Sequence, residues 1–221
     1  PLTARGNALV RMIAEPATQP FLETSTTIDA REGLHTDAPF TVETRMRGPV
    51  GAALHAELSQ ITQAQRDQGL RAYWKKEYDF VDITKVATEF DADHGVLILR
   101  MEGTARMDWG GYDYMTDGLR VGAYIDYSRE PGINADAPFV MYHPVYQVTR
   151  QTILLPLVGK FTTKGADYDV TLAGTHYTRR STIEDRIFRG EAQAKSLVPE
   201  ITAREARDAE KRLQAMWRDG L

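Results

Sequence analysis

The stretch from Gly174 to Leu213 constrains the chain most, because it reads as strand, turn, strand, proline stop and helix in one unbroken run. Ala192, Ala194, Ser196 and Val198 share one face of a period-two strand, with Glu191, Gln193, Lys195 and Leu197 on the other. A preceding strand places Tyr177, Ser181, Ile183 and Ile187 at one parity around Arg180, Thr182, Glu184 and Arg186, and Arg189-Gly190 supplies the expected turn. Pro199 ends the ladder because it has no N–H to donate. Thr202 and Glu205 are spaced as a capping box, so hydroxyl and carboxylate each satisfy a free backbone donor. Ala206, Ala209, Leu213, Met216 and Trp217 then recur at helical spacing, which predicts a helix docked by one stripe.

The same grammar appears near the start. Residues 1–22 read as a connector from an upstream part, with an apolar segment from Ala8 to Ile13. A strand from Glu23 to about Ala30 is followed by one in which Phe40, Val42, Thr44 and Met46 alternate with Thr41, Glu43, Arg45 and Arg47. Gly48-Pro49 stops that strand. Val50, Leu54, Leu58 and Ile61 form a helical stripe, and Thr62 with Gln65 opens a second helix reaching about Tyr78, anchored by Leu70, Tyr73 and Trp74. The two hairpin-plus-helix units, 23–78 and 174–219, therefore read as an internal echo around a central β part, 79–173.

That central part begins with a long hairpin from Phe80 to Met107 around Asp91–Gly95, with Gly103 expected at a bulge. The loop from Asp108 to Gly118 follows, and short strands are expected at Leu119–Tyr127, Phe139–Tyr142, Val145–Leu155 and Tyr168–Leu172. Regular short strands separated by Pro and Gly predict an α+β fold, mainly antiparallel β. The expected architecture is a sandwich or strongly curved sheet with helices at about 50–78 and 202–218 packed on it.

Composition excludes several functions. The chain has 221 residues and no cysteine, which removes disulfides, thiolate metal sites and cysteine nucleophiles. A net charge of −4 with interspersed signs argues against nucleic acid as a partner. No apolar run approaches the roughly 18 residues a membrane span needs. With neither an initiator Met nor a charged-then-apolar leader, the sequence reads as a processed product or an excised piece.

Several short signatures carry a family resemblance. They are Arg71–Trp74, Gly103–Trp109, Ile153–Pro156 ahead of Gly165–Asp169, and Ser196–Ile201. Together, across about residues 25 to 217, they resemble the β-rich C-terminal region of secreted bacterial transglutaminase-like proteins that carry an N-terminal domain of unknown function. The resemblance implies a periplasmic or otherwise secreted setting and a partner core upstream that holds the Cys–His–Asp chemistry. This chain would then be its non-catalytic accessory region, with no catalytic residue and no cofactor of its own.

Candidate ligand contacts are few. Trp109, Tyr112 and Tyr114, separated by Gly110 and Gly111, have the makings of an aromatic platform for a peptide or glycan, which Tyr142 and His143 would extend. The plainer reading is a bulge whose Trp plugs the end of the core. Asp91-Ala-Asp-His94 offers metal-ligand types but reads as an ordinary turn, so no metal site is expected. No serine lies in a nucleophile elbow. Glu184 and Asp185 beside Arg179, Arg180 and Arg186 read as cross-strand ion pairs on a wet face.

Overall fold

The computed structural model describes residues 14–106, 113, 114 and 116–219. Its first two strands, β1 (Leu22–Asp29) and β2 (Asp37–Arg47), form an antiparallel hairpin in register from Leu22↔Met46 to Ile28↔Phe40. Along β2, Ala38, Phe40, Val42 and Thr44 are buried while Thr41 and Arg45 face solvent, as the alternation predicts.

Helix α1 (Gly48–Ser59) leaves β2 directly, with Pro49 in its first turn, where a missing N–H costs nothing. Its expected apolar stripe is rotated. Val50 is exposed, whereas Gly51 is buried against the strand end, where an added Cβ would lie 2.5 Å from the Met46 carbonyl oxygen. Leu54 and Leu58 meet the core edge, and His55 stacks on Phe90 at 3.8 Å. Helix α2 (Gln63–Glu77) opens on the predicted capping box of Thr62 and Gln65. Leu70 and Trp74 are buried, and Arg71 donates to the carbonyls of Ile83 and Thr84 at 2.7 and 2.8 Å.

The long hairpin is β3 (Val81–Asp91) and β4 (Val96–Arg106). Its register slips between Ile83 and Lys85, so the bulge lies in β3, opposite Gly103. A Cβ on Gly103 would come within 2.6 Å of the Asp82 carbonyl oxygen, which explains the glycine. The tip is held locally: the Asp91 carboxylate accepts from the His94 backbone at 3.1 Å and meets its ring at 2.8 Å.

The second half contains β5 (Phe139–Val140), β6 (Tyr146–Leu154), β7 (Tyr168–Leu172), β8 (Thr175–Glu184), β9 (Ile187–Ser196), β10 (Glu200–Ile201) and α3 (Ala203–Arg218). Eight strands make one sheet in the order β3-β4-β2-β1-β6-β9-β8-β7, and β10 pairs with β5 in a second, two-stranded sheet. The large sheet is antiparallel except where β1 meets β6 in parallel, Leu22↔Gln147 to Asp29↔Leu154. Among the described residues the architecture is thus α+β, mostly antiparallel, with three helices packed on the sheet. The stretches 23–78 and 174–219 lie in opposite halves of this sheet.

Two expectations about the chain path are corrected. The β8–β9 turn is Asp185-Arg186, both at positive φ (49° and 60°), the geometry that matches strand twist in a two-residue hairpin. Arg189-Gly190 instead lies inside β9, and Ile187 begins that strand on the opposite face from Tyr177, Ser181 and Ile183. Residues 119–127 form no strand beyond a 3-10 turn at Asp117–Leu119. Their backbone is satisfied by α3 instead: Gln214 donates to the Ile125 carbonyl at 3.1 Å and Glu210 accepts from the Tyr127 N–H at 3.3 Å.

One apolar core covers the inner face, from Phe40, Leu97 and Trp74 across to Ile153, Phe188 and Met216. A second joins α3 to Tyr127, Ala173 and Ile201 through Ala206, Ala209 and Leu213. The outer face carries ion pairs that step from strand to strand. Glu43 accepts from Arg45 and Arg100, Arg100 also reaches Glu89, and Glu23 accepts from Arg47 and Arg150, with Arg150 bridging on to Glu191. Burial pushes the Glu23 and Glu43 carboxyls up, but hydrogen bonds from their arginine pairs outweigh it and hold both below the ordinary range.

Candidate functional site

A cavity of about 550 Å³ opens at the Ile153–Phe188 end of the sheet's inner face. Its floor is apolar: Ile153 and Leu155 from β6 and just beyond it, Ile183 from β8, Phe188 from β9 and Leu119 from the 3-10 turn. One wall is Asp113, Tyr114 and Thr116. The opposite wall is the loop Lys160–Gly165, and the end of α3 closes a third side with Arg218 and Asp219. Sites for small organic ligands commonly measure about 300–1,000 Å³ and combine an apolar lining with a few directed polar groups.

The polar groups divide into paired and unpaired. Arg179 projects inward from β8, where it is buried, and donates to the Ala166 carbonyl from Nε and Nη2 at 2.9 and 2.8 Å. Nη2 also bonds the Asp219 carboxylate, which accepts from the Tyr168 hydroxyl at 3.0 Å and the Ala166 N–H at 3.2 Å. Burial pushes the Asp219 carboxyl up, yet these three donors hold it below its ordinary value. The same burial, with Asp219 adjacent, pushes the Tyr168 hydroxyl up. This cluster fixes the cavity end rather than offering a reactive group. Lys164 is paired with Asp113 at 2.6 Å across the mouth, a solvent-exposed bridge.

Lys160 has no hydrogen-bond or ion-pair partner among the described residues, and Arg218 donates from Nε only to its own helix, to the Gln214 carbonyl at 3.2 Å. Among the described residues, four cationic side chains and two carboxylates line the cavity, on a chain whose net charge is −4. Threonines 116, 162 and 163 and Ser181 add hydroxyls.

Of the residues expected at a ligand platform, the described ones do not lie together. Trp109 and Tyr112 lie outside the described residues, whereas Tyr114 lines the cavity. Tyr142 and His143 stand at the other end of β6, about 26 Å away along the strand at roughly 3.3 Å per residue. Tyr142 is 92% exposed. His143 Nδ1 lies 2.9 Å from Ser196 Oγ and Nε2 lies 2.9 Å from the Ala14 carbonyl, so Nε2 carries the proton. Ser196 is 3% exposed and also accepts the Val145 N–H at 2.7 Å, which makes the pair a clamp on the sheet end.

The arginines expected to pair with Glu184 and Asp185 turn elsewhere. Arg179 bonds Asp219, Arg180 approaches Asp169 at 3.4 Å, and Arg186 donates to the carbonyls of Pro156 and Gly159. Among the described residues, no cluster of His, Asp and Glu could hold a metal ion.

No protein-family model, curated protein or solved structure matches this chain.

Sequence reasoning missed Lys160, Phe161, Arg179 and Arg218. For Arg179 the signal was present: it shares the parity of Tyr177, Ser181 and Ile183, and an arginine on an inward face needs a buried partner. The wall Lys160-Phe-Thr-Thr-Lys164 had only its composition, two lysines and an aromatic within a turn region.

Proposed function

We propose that this chain is a non-catalytic binding module that holds a small amphipathic molecule, its apolar body on the Ile153, Ile183 and Phe188 floor and an anionic group toward Lys160 and Arg218. The observation that carries this reading is the cavity itself, an apolar floor beneath a rim where, among the described residues, cationic side chains outnumber carboxylates. The apolar floor suits a hydrocarbon or aryl body, and the cationic rim suits a carboxylate or phosphate over an uncharged head.

Thermal unfolding of the chain with decanoate, decyl phosphate, decanol, maltotriose or a short peptide tests it. At about one hundred times its Kd a ligand adds roughly 2.7 kcal/mol, a shift on the order of 5–10 °C for a chain of this size. Decanoate and decyl phosphate are expected to stabilise, and Lys160→Glu to weaken them without affecting decanol. Stabilisation by maltotriose or peptide alone would replace the amphiphile with the ligand classes first expected for the aromatic loop.

A second reading makes the chain the accessory region of a transglutaminase-like envelope protein, packed against an upstream core. The short signatures support it, and so does the exposed apolar side chain of Val140 on β5, 87% exposed beside Tyr142. The periplasmic or secreted setting belongs to this reading. Mixing the chain with that core should give a complex that Val140→Asp disrupts.

A further inference from the structure

The connection from Leu155 to Gly165 does more than wall the cavity. Leu155 lies on the floor and Lys160–Gly165 form one side, while Leu157 and Val158, between them, are 80% and 85% exposed. Two adjacent aliphatic side chains in water at a loop tip have no packing role. The tip is nonetheless held: Arg186 Nη1 donates to the Pro156 carbonyl at 2.7 Å and the Gly159 carbonyl at 3.3 Å, and Gly159 turns the chain at φ +107°. From Pro156 to Gly165 the sequence contains two lysines and no carboxylate. The cavity mouth thus carries a preformed apolar point on a basic segment, although the chain as a whole is acidic.

We infer that Leu157 and Val158 enter the surface of an anionic lipid bilayer, with Lys160 against its headgroups, so that the cavity takes its amphiphile from a membrane; this rests on the amphiphile reading above. Aliphatic insertion and basic residues near an anionic surface each contribute weakly, and together give reversible attachment. A protein face would supply its own carboxylates to a rim of this sign, but two aliphatics at a narrow tip suit a fluid hydrocarbon better than a shaped pocket.

Co-sedimentation of the full chain with vesicles of phosphatidylcholine plus phosphatidylglycerol, against pure phosphatidylcholine, tests the contact. Binding is expected to the anionic vesicles and to fall by about tenfold or more in Leu157→Asp/Val158→Asp. The variant should melt like the parent and bind free decanoate equally, because neither residue lines the cavity. Failure to bind anionic vesicles, or equal binding by the variant, overturns the inference. Decanoate binding without vesicle binding overturns it and leaves the ligand reading intact. Tip-dependent vesicle binding without decanoate binding supports the contact and removes the ligand reading.

Discussion

Leu119 and Gly190 share one volume: a Cβ on Gly190 would stand 2.0 Å from Leu119 Cδ1. The contact locks the 3-10 turn onto the inner face of β9, beside the cavity floor. Gly190→Ala should force Leu119 aside and cost about 1–3 kcal/mol. Leu119→Ala in the same background should recover part of that loss, so the double variant is more stable than additivity allows. Urea midpoints of the four proteins decide it, and a neutral Gly190→Ala would disprove the close approach.

Arg179 is buried, while Asp219 keeps about a third of its side chain in water, 36%. Asp219→Asn should therefore cost a partly screened amount, about 1–2 kcal/mol. Arg179→Met removes the buried charge along with its bonds and should cost less than Arg179→Ala, which also loses the packing of the stem. Equal losses for Met and Ala would mean that packing contributes little here.

Acid should loosen the outer face. The Glu23 and Glu43 carboxyls are lower in the folded chain than in the unfolded one, so their contribution is complete above the unfolded value and is lost as pH falls through the folded one. The urea midpoint should drop between about pH 5 and pH 3. Glu23→Gln/Glu43→Gln should start lower at neutral pH and fall less steeply. A parallel pH profile would show that other carboxylates carry the acid response.

The two capping boxes have the same geometry and differ in what their helices hold. Thr202→Ala and Thr62→Ala should each cost about 1 kcal/mol. Thr202→Ala should also expose Tyr127, whose core is built on α3, and quench or red-shift nothing near Trp74. Amide hydrogen exchange would resolve the two: protection should fall at Ile201–Ala209 in one variant and at Thr62–Leu70 in the other.

Much of this fold was legible because local signals and tertiary packing agree. The β2 alternation, both capping boxes and the stop at Gly48-Pro49 are of this kind. The misplaced β8–β9 turn came from reading Gly190 as a turn former when its purpose is to admit Leu119. Residues 119–127 alternate like a strand, with Leu119, Val121 and Tyr127 buried, but their partner is a helix, which no local pattern announces. The cavity was the least legible part. Its walls come from four separate stretches, and a charged inward residue such as Arg179 gains meaning only beside Asp219, 40 residues away.

The parallel pairing of β1 with β6 sets the order in which this chain can assemble. Leu22 meets Gln147 across roughly 125 residues, so that seam requires a far larger loop closure than either neighbouring antiparallel pair within its half. Each half can gather its own strands first, and until the seam closes β1 and β6 both present bare edges. Newly made or partly unfolded molecules are therefore most exposed to mispairing with one another along these two strands.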